Sequence, residues 1–226
     1  MLRRLSFRES RYAHLVAGLV IFTIMTLTLG EISEDIRNGE PLTLIDLQLS
    51  AWLHANRSSQ LTTALWLITS AHSTWPVALA TLAVSVGLWL KRQKYWLAAV
   101  CITVYGGMLL NWMLKLVFQR ARPSFIDPIV TLTSYSFPSG HTMMATTLYG
   151  VLALYLLSKT KSTGGRVLVL LVASIMIALV GFSRIYLGAH YLSDVLGAMS
   201  EGLAWMSLCL TAVYSVRRHR AETKAV

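Results

Sequence analysis

Apolar runs long enough to cross a bilayer alternate with short polar segments along almost the whole chain. The first occupies about residues 13–30 (AHLVAGLVIFTIMTLTLG), behind a head carrying Arg3, Arg4, Arg8 and Arg11. A basic head before an apolar body also describes a signal peptide. This run is long for one and no small-x-small cleavage site follows it, so it reads as a retained span. A second run, about 61–90, contains Pro76 and Gly87 and exceeds the roughly 20 residues a bilayer needs. It is expected to tilt, kink or project. Further runs occupy about 96–118, 141–157, 167–182 and 189–216. Between the first two runs, residues 31–60 are polar. Within them PLTLIDLQLSAWLH sets Leu42, Ile45, Leu49, Trp52 and Leu53 at a helical period. That stretch is too short to span and predicts an amphipathic helix at the interface, with Trp52 at headgroup depth. The pattern predicts an all-α fold. It is a six-transmembrane helical bundle with an interfacial helix in the first outer loop, forming one domain over residues 1–226, with no internal repeat or low-complexity tract.

Composition narrows the class. The chain is 55% hydrophobic and only 13% charged, with a mean hydropathy of +0.57. A soluble domain carries roughly a quarter charged residues, so the solvent around most of this chain is lipid. The net charge of +10 does not point to nucleic acid, because the cations sit in short clusters between apolar runs rather than on one exposed face. Cys101 and Cys209 both lie inside apolar runs, without a CxxC or a metal spacing, and carry no redox inference.

Charge also orients the bundle. Six spans put both termini on one side, together with the loops at Lys91, Arg92 and Lys94 and at Lys159, Lys161 and Arg166. With the terminal arginines and Lys224, that side holds fourteen of the 20 Lys and Arg residues. It is expected to be cytoplasmic. The other side keeps Arg37, Arg57, Lys115, Arg120, Arg122 and Arg184. The last four crowd into two places, the loop after the third span and the turn after the fifth, against the orienting rule. Cations kept there suggest a local task.

Three polar segments meet on that outer face. Lys115 ends the third span, and Arg122-Pro123 follow. Taken alone, Lys115 reads more readily as a snorkelling lysine, and Arg122 can be read as a solvated loop charge. In Pro138-Ser139-Gly140-His141, Ser139 is a candidate N-cap and Gly140 allows close backbone approach. The helix that follows turns its amides and positive dipole end toward any anion. The alternative is a Ser-capped helix with an incidental histidine. In SRIYLGAHYLSD, residues 183–194, Arg184 offers a planar donor fork. His190 and Asp194 are four apart. A helix starting near Ala189 would set them one turn apart on one face, where a carboxylate on one imidazole nitrogen leaves the other free to attack. The competing reading is a helix start with a surface ion pair. Cations, two histidines, a carboxylate and a helix N-terminus on one face form the inventory of phosphoryl transfer. No HExxH or carboxylate cluster suggests a metal.

In order and spacing these segments resemble the three-part signature of the type 2 phosphatidic acid phosphatase superfamily. The motifs fill residues 115–194, and the six-span layout is similar to that superfamily's membrane branch. The resemblance implies that His190 is the nucleophile forming a phosphohistidine. Asp194 orients it, and His141 protonates the leaving oxygen and then activates water. Lys115, Arg122 and Arg184, with Ser139 and the Gly140 amide, bind the phosphate. It implies no metal and no other cofactor. The expected substrate is a membrane lipid phosphate: undecaprenyl diphosphate, phosphatidylglycerophosphate or phosphatidic acid. The alternatives are lipid A phosphatase activity and phosphotransfer to a second lipid. A channel or transporter is disfavoured, because the polar groups gather at one interface rather than along a path through the bilayer. The expected location is a bacterial plasma (inner) membrane, with the site on the outer, periplasmic or extracellular, face. His72, Asn111 and Glu201, polar groups in apolar runs, are expected to face the bundle interior as packing hydrogen bonds. Arg120 reads either as a supporting cation at the site or as a headgroup contact.

Overall fold

The computed structural model describes residues 2–223, with side chains from residue 13 onward. The side chains of Arg3, Arg4, Arg8 and Arg11, and all of Lys224, which weigh in the charge rule, lie outside the described residues. The architecture is all-helical: α1 (Leu2–Asn38), α2 (Pro41–Ala55), α3 (Ser59–Ala71), α4 (Thr74–Leu90), α5 (Lys94–Phe118), α6 (Gly140–Leu157), α7 (Thr163–Tyr186) and α8 (Leu192–Thr223). Helix α1 from Ala13, with α5, α6, α7 and α8, is long and apolar enough to cross a membrane. The pair α3–α4 makes a sixth span when taken as one.

That pair accounts for the overlong second run. It is bent by 49° at a short break, where His72 ends α3 and Ser73 begins α4. Pro76 stands in the first turn of α4, where its missing N–H would have had no intrahelical partner. One continuous helix would drive the Pro76 ring into the carbonyl of His72, four residues back. The loosened end is tied to the bundle by His72, whose Nδ1–H donates to the Ile68 carbonyl (2.7 Å) while Nε2 accepts from Tyr149 Oη (2.6 Å).

Helix α2 forms where its periodicity predicts, with Pro41 at its start. Its inward face carries polar groups. Asp46, Ser50 and Leu53 are buried, while Leu44, Ile45, Leu47 and Trp52 are exposed. Most of the apolar residues face away from the protein, while Asp46 and Ser50 face in beside Leu49 and Leu53.

Helix α6 packs against α5, α7 and α8, and α1 lies along α8. Val100, Val104, Met143, Val151, Ala198 and Met206 fill the centre of the α5–α6–α8 unit. A second cluster, Leu53, Leu65, Ile185, Tyr186, Leu187 and Val195, ties α2 and α3 to the turn between α7 and α8. The outer faces of α1 and α7 show leucine, valine and isoleucine, as lipid solvent requires.

The loop after α5 is anchored by Phe137, which is fully buried. It meets Phe118 edge-on at 4.9 Å between ring centroids. Its ring lies where a side chain at Gly197 would stand: a Cβ there would come within 2.4 Å of Phe137 Cε2. Gly197→Ala is therefore expected to overpack this joint and destabilise the protein by about 1–3 kcal/mol. Thermal unfolding in detergent checks this, and an unchanged midpoint would contradict it.

Candidate active site

Asn111 and Lys115 are one turn apart at the end of α5, so both face α6 and α8. Asn111 Nδ2 donates to Glu201 Oε2 of α8 at 2.8 Å. That bond is the interhelical contact expected of those two residues. Lys115 Nζ donates to the carbonyls of Tyr135 (2.7 Å) and Ser136 (3.1 Å), so it reaches back along the returning loop. Arg122 is held by the same loop. Its Nε donates to the Ser134 carbonyl at 2.6 Å and its Nη1 to the Ala189 carbonyl at 2.6 Å.

The second polar segment enters through the start of α6. Gly140 and His141 form the first turn and line a cavity of about 350 Å³. Ser139 holds the N-cap position, but its hydroxyl turns to Thr142 Oγ1 (3.0 Å). Its amide donates to the Asp194 carbonyl at 3.0 Å. Ser139 is fully buried and is not among the residues lining the cavity.

The third segment is shaped by its turn. Gly188 takes a positive φ of 69°, a conformation that costs a glycine nothing. The amides of Ala189 and His190 both donate to the Arg184 carbonyl, at 3.0 and 3.1 Å. Helix α8 then begins at Leu192, not near Ala189. His190 therefore stands on the turn rather than on the helix, and Asp194 stands in the first turn of α8. The pair still meets: His190 Nδ1 lies 3.4 Å from Asp194 Oδ2. Asp194 has closer partners. Its Oδ1 accepts from Arg120 Nη1 at 2.6 Å. Its Oδ2 accepts from the Tyr191 amide at 2.8 Å and from Ser136 Oγ. The carboxylate reaching back to the amide three residues earlier is half of a capping box.

On the other edge of the ring, His190 Nε2 lies 3.1 Å from Arg122 Nη1. An arginine only donates, so Nε2 presents its lone pair and the proton sits on Nδ1, toward Asp194. Burial, opposed by Asp194, pushes the His190 pKa down to about 3. The free imidazole is thus neutral at physiological pH, the form with a lone pair to offer.

The structure brings Lys115, Arg122, Gly140, His141, Arg184 and His190 to the wall of one cavity. Asp194 and Ser139 stand behind it. Arg184 is 3% exposed. Its Nη1 donates to Thr69 Oγ1 of α3 at 2.5 Å, and its buried Nε has no partner. Buried donors are almost always satisfied, so an orphaned guanidinium N–H beside a cavity with two further cations marks a place for an anion. Among the described residues no three of His, Cys, Asp and Glu gather as a metal cage. A second cavity, about 420 Å³, lies at the far end of the bundle between His14, Trp96, Tyr214 and Arg217, remote from these groups.

Several supporting residues escape a reading of the sequence. Ser136 carried no motif of its own, Arg120 stood undecided, and Thr69 and Asp46 are distant in the chain. Asp46 leaves a faint trace, as the lone acid inside the apolar stretch of α2. At the surface, Asp127 joins the loop to the end of α2. It pairs with His54 (2.9 Å) and with Arg57, and those hydrogen bonds, His54's first, hold its carboxyl below the usual range.

The chain is similar to known proteins over much of its length. The model of the PAP2 superfamily matches residues 94–218. Phosphatidylglycerophosphatase B of Bacillus subtilis is 38% identical over 146 residues, 62% of this chain and 68% of that one. Undecaprenyl-diphosphatase BcrC of the same organism is 32% identical over 43% of this chain and 48% of its own. The crystal structure of a transmembrane PAP2-type phosphatidylglycerolphosphate phosphatase from Bacillus subtilis superposes with a TM-score of 0.75 at 28% identity, covering 88% of this chain and 96% of that one.

Removing the Arg184 fork should leave the anion site with one cation fewer. Arg184→Gln is expected to weaken vanadate binding by about tenfold or more, the scale of a lost charge-assisted hydrogen bond. Isothermal titration of purified protein measures this, and an unchanged vanadate affinity would contradict the assignment.

Proposed function

The chain belongs to the PAP2 superfamily, and we propose that it is a membrane phosphatase that hydrolyses a lipid phosphate through a phosphohistidine on His190, without a metal. The observation that carries this reading is the His190 ring, with its Nδ1 edge against Asp194 and its Nε2 lone pair at a cavity rimmed by Arg122, Arg184 and Lys115.

The three cations and the Gly140 amide take the phosphate oxygens, so charge developing on the transferring group meets fixed donors. His141 takes up its proton as the phosphate dianion enters beside it, and Arg122 Nη1 turns from His190 to a phosphate oxygen. His190 Nε2, so freed, attacks phosphorus, and the bond to the leaving oxygen breaks as His141 gives that oxygen its proton. Asp194 stabilises the positive charge that appears on the phosphorylated imidazole. His141, now neutral, takes a proton from water as that water attacks phosphorus. Inorganic phosphate leaves and His190 is restored. Ser139 joins the cradle only by turning its hydroxyl away from Thr142.

A lipid suits the cavity's shape. Met108, Trp112, Leu132 and Met144 form its apolar side. Trp112 and Leu132 are 58% and 43% exposed, so an acyl or prenyl chain leaves the site toward the bilayer there. Phosphatidylglycerophosphate is the first substrate to expect, from the similarity to the Bacillus enzyme over most of both chains. Undecaprenyl diphosphate is the second. The site faces outside, periplasmic or extracellular, on the strength of the cation distribution along the chain.

Phosphate release from purified protein, offered phosphatidylglycerophosphate, undecaprenyl diphosphate, phosphatidic acid and lipid A, tests this reading. His190→Ala is expected to lower every observed rate by at least about 1,000-fold, as loss of a nucleophile does elsewhere. Wild-type rates in that variant would overturn the mechanism. EDTA should leave the rate unchanged, and activity lost to EDTA and restored by a divalent cation would overturn its metal independence.

A further inference from the structure

Asp46 lies outside the signature motifs and outside the matched residues 94–218. It belongs to α2, whose exposed side presents Leu44, Ile45, Leu47 and Trp52. Its side chain is nevertheless 0% exposed. Oδ1 accepts from the Ser193 amide at 2.9 Å, and Oδ2 accepts from Arg120 Nη2 at 2.8 Å and from Ser193 Oγ.

Two consequences follow. The Ser193 amide is one of the first N–H groups of α8 and has no intrahelical acceptor. Tyr191, just ahead of the helix, has no side-chain oxygen suited to capping it. Asp46 supplies that cap from another helix. It also divides the Arg120 fork. Arg120 Nη2 is held by Asp46, and Nη1 points to Asp194 Oδ1 at 2.6 Å and to Ser193 Oγ at 2.6 Å. The guanidinium lies over the Tyr191 ring, 4.5 Å from its centroid. An arginine facing a single buried carboxylate would close on both oxygens in a fork-to-fork pair. Here Arg120 engages only Oδ1 of Asp194, and Oδ2 is left to Ser136, the Tyr191 amide and His190.

We infer that Asp46 is a positioning residue for the reaction: by sharing Arg120 with Asp194 and capping α8, it sets the carboxylate that orients His190. The inference rests on the phosphohistidine reading above. Asp46 touches neither the cavity wall nor the phosphate, so its loss should be felt in turnover and not in binding. Through it, the helix lying at the membrane surface is bonded directly to the catalytic carboxylate's partners.

Steady-state kinetics with phosphatidylglycerophosphate in detergent micelles, alongside thermal unfolding of each variant, tests this. Asp46→Asn is expected to lower kcat by about 100-fold, the scale of a catalytic group displaced by about 1 Å, with KM changed less than about twofold. Asp46→Glu should recover part of the loss. In an Arg120→Gln background, Asp46→Asn should cost no more than about threefold further, since both act through one network. Should Asp46→Asn fail to fold, Ser193→Ala serves instead. It removes the hydroxyl shared by Asp46 and Arg120 while keeping the backbone cap, and should lower kcat by about tenfold at unchanged KM. A folded Asp46→Asn with wild-type kcat, an effect confined to KM, or full additivity with Arg120→Gln would each overturn the inference. If any of these appears while His190→Ala is inactive, the positioning role alone fails. If His190→Ala keeps its activity, the mechanism beneath it fails.

Discussion

Asp194 is a carboxylate with no exposed surface, placed where α2, the loop after α5 and the turn before α8 converge. A charge held in so poor a solvent survives only if its oxygens are bonded on every side. Here Arg120 takes one oxygen, while the Tyr191 amide and Ser136 take the other, with His190 beside it. These donors come from two segments, the loop after α5 and the turn before α8, so satisfying this one group fixes the two relative to one another. The His190 ring inherits its tautomer and direction from that network, and the cavity inherits its depth from the ring.

The same poor solvent explains why the cations are useful. Lys115, Arg122 and Arg184 line one small cavity in a region where like charges repel strongly and water screens little. They are restrained by neutral carbonyls and a threonine hydroxyl, which orient donors without cancelling charge. The acids are kept behind the wall, on Arg120 and Asn111. The cavity is therefore left with three cations and an unfilled guanidinium N–H, the donors the proposed phosphate would meet. The break between α3 and α4 serves the same end, because it brings Thr69 to Arg184 and Thr74 to the cavity rim.

Much of this is legible in the sequence because lipid forces helices to be long, apolar and continuous. The all-helical bundle and the existence of α2 follow from periodicity, and the three polar segments announce themselves as the charged groups that interrupt it. What stays hidden is what depends on packing between distant segments. Hydropathy identifies α2 but not the polar contacts of the face it buries, where Asp46 answers to α8 beside Leu53. The start of α8 at Leu192 depends on the Gly188 turn and on Asp46. Sequence spacing alone puts His190 on the helix instead. Ser139 is placed rightly at an N-cap, yet its hydroxyl is turned by Thr142, a neighbour that pattern cannot weigh against a ligand.

The central claim is a covalent one: His190 Nε2 takes the phosphoryl group from a lipid. Rapid acid-free quenching of purified enzyme with 32P-labelled phosphatidylglycerophosphate, followed by peptide mapping, measures it directly. A label stable to alkali, labile to acid and carried on the peptide containing His190 is the predicted result. A label on another residue would contradict the account. So would turnover of wild-type enzyme with no labelled protein at times shorter than one catalytic cycle.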